Sequence, residues 1–358
     1  MSFHTVELSM QLDSMTFWAF FDALVKVTSK LDSASIYDTK SGAIRCTLLD
    51  DLGIKITLRK RSEEFHKDMV YIVFNPQRLI EERELLKITK TDDYMLINRL
   101  FKKIFEPIKK AFTSKRKNKY LKFDFDVLNA YQVRRFDPCV NVHTKYKDWY
   151  LELLKRANKP NKYELGMKYD PISRRLRPYD DAFRLESKSV VFFIYDKYSQ
   201  LKRREPDYED IEQARNIIRI EVQCKNNKTN YMKYSQGWSN KSLTHFSDEE
   251  MCKNTILFYY KKVVGLGDYY TLAEARSKIL DNNKLSEKIK MDMLEVLELV
   301  NEKRGVWKAR PYYNGKDFDK NLARLNKEGI NAVTIPAHFG IRHLPNLVHE
   351  LMKEFMPQ

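Results

Sequence analysis

Three segments of this chain alternate apolar and functional side chains with period two, and that alternation limits the fold more than any other feature. They are 133–142 (VRRFDPCVNV), 190–198 (VVFFIYDKY) and 216–225 (NIIRIEVQCK). Successive side chains on a strand point to opposite faces. Ile218, Ile220, Val222 and Cys224 therefore share one face, and Arg219, Glu221 and Gln223 the other. Val190, Phe192 and Ile194 oppose Phe193, Tyr195 and Lys197. Phe136, Val140 and Val142 oppose Arg135, Asp137 and Asn141, and His143 joins the polar set if the strand continues. As neighbours in one antiparallel sheet, the three strands combine an apolar face for a core and a face of reactive groups.

That second face holds the groups a phosphodiester transfer needs. Asp137 and Glu221 offer hard carboxylate oxygens suited to Mg²⁺ or Mn²⁺. A metal there polarises the scissile phosphate. Tyr195 is the candidate nucleophile and would leave a phosphotyrosine link. Lys197 would stabilise phosphorane charge or favour the tyrosinate. Arg135 and Arg219 would grip flanking phosphates. Alternation alone equally allows an ordinary sheet with one solvated polar face, because strands favour aromatics and exposed Glu–Arg pairs are common.

Charge narrows the partner. The 358 residues carry 65 Lys and Arg against 49 Asp and Glu, a net charge of +16. Such a surplus points to a polyanion, nucleic acid before membrane, since no basic amphipathic helix with a bulky apolar face stands out. No apolar run reaches the roughly 18 residues of a membrane span. The opening MSFHTVELSMQLDS shows no secretory pattern, which with the scattered cysteines predicts a protein of a reducing cytoplasm. Four cysteines lack C-x-x-C spacing, which argues against a structural zinc site and a disulfide framework. Only ten glycines are present, and neither phosphate-loop nor dinucleotide fingerprint occurs, so no nucleotide cofactor is expected.

The remaining pattern supplies the scaffold. Val6, Leu8, Met10 and Leu12 predict a strand, 16–30 a helix, and Ile54 to Leu58 and Val70 to Phe74 two more strands. A long helix to about Phe112 follows, with Pro107 inside it. Lys115, Arg116 and Lys117 lie in a basic loop that suits phosphate contact or plain solvation. Lys202, Arg203 and Arg204 follow the tyrosine strand and would flank the active face. The last third reads as helical, with Thr271 and Ser286 as N-caps and Gly305 and Gly329 as stops. INAVTIP (330–336) reads as a late strand and 344–356 as a final helix. His338, His343 and His349 read as surface residues, and His143 as a ligand, a phosphate contact or a structural residue. In an unbroken strand, Tyr198 faces away from Tyr195.

The order of these segments resembles the replication initiators of filamentous phages, the gene II protein family, and related rolling-circle plasmid initiators without a paired-histidine motif. The resemblance rests on Arg135-Phe136-Asp137, Tyr195-Asp196-Lys197 and Arg219-Ile220-Glu221. It extends to 4–12, Phe74-Asn75-Pro76-Gln77-Arg78-Leu79, 324–336 and Gly340-Ile341, and so spans most of the chain. It implies a site-specific endonuclease and strand transferase. Tyr195 would be the nucleophile, with Asp137 and Glu221 holding a divalent metal and a freed 3′-hydroxyl priming synthesis. Family members commonly carry an acidic residue a few positions past the tyrosine, which the resemblance implies as a third metal position; here Gln200 stands there, with Glu205 further on as the candidate if the strand ends early.

These readings predict an α/β (α+β) fold with a curved, mainly antiparallel sheet, helices packed on one face, and a mostly helical C-terminal part. A division near residue 245 would separate a nicking domain (1–245) from an accessory or DNA-binding part (246–358). The partner expected is single-stranded or hairpin origin DNA, contacted by Arg135, Asn141, His143, Arg219 and the two basic runs, with a host helicase or polymerase as a further partner. A non-catalytic sequence-specific DNA-binding regulator and an RNA-binding or RNA-processing protein remain open as alternatives.

Overall fold

A computed structural model describes residues 2–63, 66–170 and 174–356. Along the chain run β1 (Ser2–Leu12), α1 (Ser14–Thr28), β2 (Ile36–Asp38), β3 (Ile44–Cys46), β4 (Lys55–Arg59), β5 (Asp68–Phe74), α2 (Gln77–Ile80) and α3 (Tyr94–Thr113). Then come β6 (Gln132–His143), α4 (Lys147–Leu154), β7 (Glu164–Leu165), β8 (Met167–Asp170), β9 (Arg175–Pro178), β10 (Ala182–Glu186), β11 (Val190–Asp196), α5 (Lys197–Arg204) and β12 (Ile217–Cys224). The final third holds α6 (Asn226–Ser235), α7 (Leu243–Phe246), α8 (Glu249–Val263), β13 (Tyr269–Tyr270), α9 (Leu272–Leu280), α10 (Glu287–Glu302), α11 (Val306–Ala309), α12 (Phe318–Lys327), β14 (His343–Leu344) and α13 (Val348–Glu354). The class is mixed α/β with a large antiparallel sheet and several helices toward the C-terminus, as the sequence leads one to expect.

The chain forms two compact units that interleave in sequence. One comprises residues 1–139, 188–190 and 223–253; the other comprises 140–187, 191–222 and 254–358.

In the first unit the strand order is β2-β3-β4-β5-β1-β6, with β6 contributing residues 132–139. Strand β1 pairs antiparallel with β5 in a register that sets Val6 opposite Phe74, Leu8 opposite Ile72 and Met10 opposite Val70. Ile56 and Leu58 of β4 extend the same buried row. Asp13 caps α1 by accepting the Thr16 N–H at 2.9 Å. Helices α1 and α3 pack against each other. Phe101, Phe105, Ile108 and Phe112 recur at helical spacing and form the buried stripe of α3. Pro107 sits inside α3 without ending it. The Phe20 ring stacks on Phe125 at 3.8 Å, and Phe101 stacks on Phe105 at 4.6 Å. Each such buried side chain contributes about 1.5–3 kcal/mol relative to exposure.

In the second unit the order is β6-β12-β11-β10-β7, with β6 contributing residues 140–143. Strand β10 pairs antiparallel with β11, setting Ala182 opposite Tyr195 and Phe183 opposite Ile194. Strands β8 and β9 make a separate hairpin. The late helices bury Met293, Val296, Leu297 and Val300 from α10 and Leu322 and Leu325 from α12. Thr271 caps α9, with its hydroxyl accepting from the Glu274 N–H. Gly329 follows α12 at φ 73°, a left-handed conformation that glycine adopts without strain.

Three expectations need correction. Strand β11 ends at Asp196, so Lys197 is the first residue of α5 and does not continue the Tyr195 face. Asp196 causes this by capping the helix, accepting the Tyr198 N–H at 3.0 Å. Tyr198 therefore lies on a helix, where strand alternation has no bearing. The apolar segment 330–336 is not a strand. Ile330 makes a single bridge to Asp268, and the buried Asn331 turns the chain by accepting the Val333 N–H on its own side chain at 3.0 Å. The final helix is shorter than expected, covering Val348–Glu354. The four cysteines are buried and no disulfide joins them. Among the described residues no helix is long and apolar enough to cross a membrane.

Candidate active site

Most of the reactive groups the sequence singled out on and next to these strands are buried, with Arg135 and Asn141 half-buried. Asp137 and Arg219 are 0% exposed, Lys197 2%, and Tyr195 and Glu221 4%. A plain solvated sheet face would leave these groups in water. Burying them is costly unless each finds a partner of suitable charge or hydrogen-bonding capacity, and the chain supplies such partners.

In the first unit, Arg135 grips Asp137 with both arms of its guanidinium. Nε donates to Oδ1 at 2.8 Å and Nη2 to Oδ2. The two residues are separated by one position on β6, so they share a strand face and the fork closes onto the carboxylate.

The second unit holds the tyrosine. Tyr195 on β11 donates its hydroxyl to Oε2 of Glu221 on the neighbouring strand β12 at 3.4 Å. Two residues before Glu221 on β12, the Arg219 Nε donates to Oδ1 of Asn141 at 2.7 Å. Lys197 donates to Oε1 of Gln200 at 2.9 Å, one turn further along α5. Tyr195, Glu221, Arg219, Asn141, Lys197 and Gln200 thus all lie in one unit, most of them buried.

The other expected residues make contacts of their own. Glu205 is the exposed C-cap of α5, roughly 12 Å along the axis from Lys197 at about 1.5 Å per residue. Lys202, Arg203 and Arg204 form the last turn of α5, where positive charge complements the helix dipole. Arg203 pairs with Asp181. His143 is exposed, and its Nδ1 lies 3.0 Å from Oε1 of Glu354. In the first unit, Lys115 pairs with Asp22 at 2.8 Å and Lys117 lies 3.7 Å from the same carboxylate, with Arg116 between them in a short turn. His343 and His349 both engage Asp268 at 3.0 Å, and His338 engages Glu152 at 3.0 Å.

The sequence reading missed Lys147, Glu212 and Arg215. Lys147 holds Asp196 at 2.9 Å and the Arg215 carbonyl at 3.0 Å, anchoring the junction where Tyr195 passes into α5. The signal was an aspartate directly before a polar helical run, the usual N-cap pattern.

Among the described residues no group of three or more His, Cys, Asp or Glu side chains is arranged to hold a metal ion. The donors at Asp137 and Glu221 are hard carboxylate oxygens. Mg²⁺ is commonly held by one or two carboxylates, with water and substrate phosphate completing its shell. Each carboxylate is by itself a donor of the kind Mg²⁺ or Mn²⁺ takes; Glu221 lies in the second unit, and Asp137, in the first, has both oxygens engaged by Arg135.

No protein-family model matches the chain, and no curated protein does. Among solved structures, the rolling circle replication initiator protein from Geobacillus stearothermophilus is similar at a TM-score of 0.30 and 11% sequence identity, over 64% of this chain and 75% of that one.

Proposed function

We propose that this chain is a rolling-circle DNA replication initiator that nicks one strand at an origin through a covalent phosphotyrosine link. The observation that carries the reading is the 3.4 Å contact between the Tyr195 hydroxyl and the Glu221 carboxylate on adjacent strands. A phenol beside a buried carboxylate is a nucleophile beside its base. The net charge of +16 suits a polyanionic substrate, and the ordered motifs 135–137, 195–197 and 219–221 support the same assignment.

In this reading the Tyr195 oxygen attacks the scissile phosphorus. The Oη–P bond forms and the P–O3′ bond breaks. The phenolic proton passes to Glu221, and the departing 3′ oxygen takes a proton from water to become the 3′-hydroxyl primer. Attack of a 3′-hydroxyl on the phosphotyrosine reverses the step and rejoins a strand. A divalent cation would supply Lewis-acid polarisation of the phosphate, with Glu221 of the second unit and Asp137 of the first as the candidate carboxylates to hold it. Lys197 stabilises charge on the phosphorane oxygens, and the partly exposed Arg135 binds a flanking phosphate; Arg219, expected to do the same, is fully buried on Asn141 and supports the sheet instead. Because Tyr195 is 4% exposed, its hydroxyl must be uncovered as the strand enters.

That burial also favours a second reading, in which the protein binds DNA at an origin without cutting it. Covalent capture separates the two. The protein is incubated with Mg²⁺ or Mn²⁺ and single-stranded DNA from its own replicon, then run on a denaturing gel beside Tyr195→Phe. A DNA–protein adduct absent from the variant supports nicking. Tight, salt-sensitive binding without an adduct supports the binding reading.

A further inference from the structure

The corner between α5 and the short 3₁₀ turn Ile211–Ala214 gathers positive charge around one aromatic ring. Nζ of Lys147 and Cζ of Arg215 each lie 5.7 Å from the centre of the Tyr198 ring, and Nζ of Lys202 lies 5.9 Å from it. Lys147 is already paired with Asp196 at 2.9 Å, and a second carboxylate, Glu212, takes up Arg215. Glu212 accepts from the Tyr198 hydroxyl on Oε1 at 3.2 Å. Arg215 converges on its Oε2 with Nε, at 2.9 Å, and Nη2. Three donors from two separate elements thus hold a single anion.

The composition around the corner is polarised. Lys202, Arg203 and Arg204 are followed at once by EPDYEDIE (205–212), which carries Glu205, Asp207, Glu209, Asp210 and Glu212. A helix-end basic run needs no such acidic stretch beside it. Glu212 and Arg215 are 59% and 67% exposed, so their pair contributes little and exchanges easily. A phosphodiester bears the same single charge as a carboxylate and offers two free oxygens to the same donors.

We propose that Tyr198, Lys202 and Arg215 form a phosphate subsite for the substrate strand, which Glu212 fills in the free protein and a DNA phosphodiester takes on binding. The proposal rests on the reading of the chain as a DNA-processing protein, and it assigns one segment of the strand to the C-terminal side of Tyr195. The acidic stretch then acts as an internal competitor that weakens loose, non-specific association.

The test is fluorescence anisotropy of a labelled single-stranded oligothymidylate, with full-length protein in EDTA so that no cleavage intervenes. Glu212→Gln is expected to bind about two- to five-fold tighter, the range for releasing an exposed ion pair. Arg215→Ala is expected to bind more weakly and to lower the slope of log K against log salt by about 0.7, the loss of one single-strand phosphate contact. In the Arg215→Ala background Glu212→Gln should tighten binding by clearly less than in wild type, because Arg215 supplies two of the three donors that Glu212 occupies. Circular dichroism melts confirm that each variant is folded. Equal affinities for wild type and Glu212→Gln, or strictly additive effects, overturn the proposal. A parallel oligouridylate bound more tightly than the thymidylate would overturn its assignment to DNA. If nicking fails but the subsite is real, no adduct forms while the affinity differences persist; if nicking is real and the subsite is not, the adduct forms and the affinities coincide.

Discussion

Arg219 is fully buried on β12, and its guanidinium Nε donates to the side-chain oxygen of Asn141 at 2.7 Å. A cation held inside a sheet depends on each hydrogen bond that replaces its water. Asn141→Leu removes the acceptor while filling similar volume, and should lower stability by about 1–3 kcal/mol. Urea unfolding measures the change. A loss below about 0.5 kcal/mol would show that Arg219 does not rely on Asn141.

The Arg135 fork neutralises the buried Asp137. Arg135→Ala leaves that carboxylate without its guanidinium, at a cost of about 2–3 kcal/mol, below the range for fully buried pairs because Arg135 is 31% exposed. If Asp137 is a metal ligand, millimolar Mg²⁺ should restore part of the lost stability through binding to the folded state. Thermal melts of the variant with and without Mg²⁺ decide this. A variant that melts identically in both conditions would contradict the ligand assignment.

Lys241 gives a pH dependence of definite sign. Its ammonium donates to Asn226 at 2.8 Å in a largely buried position. Burial, with the nearby charges of Arg134 and Lys233, pushes its pKa down from 10.5 to about 8. Between pH 8 and 10.5 the unfolded chain therefore binds more protons at this residue than the folded one, and stability rises with pH. The destabilising contribution is fully present below pH 8 and relieved by pH 10.5. Relative to Lys241→Met, the wild type should gain on the order of 1–3 kcal/mol across that window. Parallel curves for the two proteins would show that Lys241 titrates normally.

The sheet was legible because its signal is local. Val6 to Leu12 and Ile218 to Cys224 alternate cleanly, and β1 and β12 form where that alternation runs. The end of β11 was harder to read. Its apolar run continues in appearance through Tyr198, while the Asp196 carboxylate turns the next residues into a helix. The segment 330–336 misled for the opposite reason, since its apolar content reflects burial rather than pairing, and Asn331 satisfies the backbone instead. At the candidate site, alternation identified Asp137, Tyr195 and Glu221 as sharing face types. It could not distinguish a solvated polar face from a buried one. That difference arises from long-range covering of Arg219 and Glu221, which leaves no periodic trace in their own strand.

The central claim is that Tyr195 becomes covalently joined to DNA. The most direct measurement digests the protein–DNA adduct and locates the phosphotyrosine by mass spectrometry. The account predicts a 5′-phosphonucleotide on Tyr195, with wild-type Glu221 and a divalent metal both required for its appearance. Attachment at Tyr198, or the absence of any linked residue under conditions where the DNA is tightly bound, would contradict it.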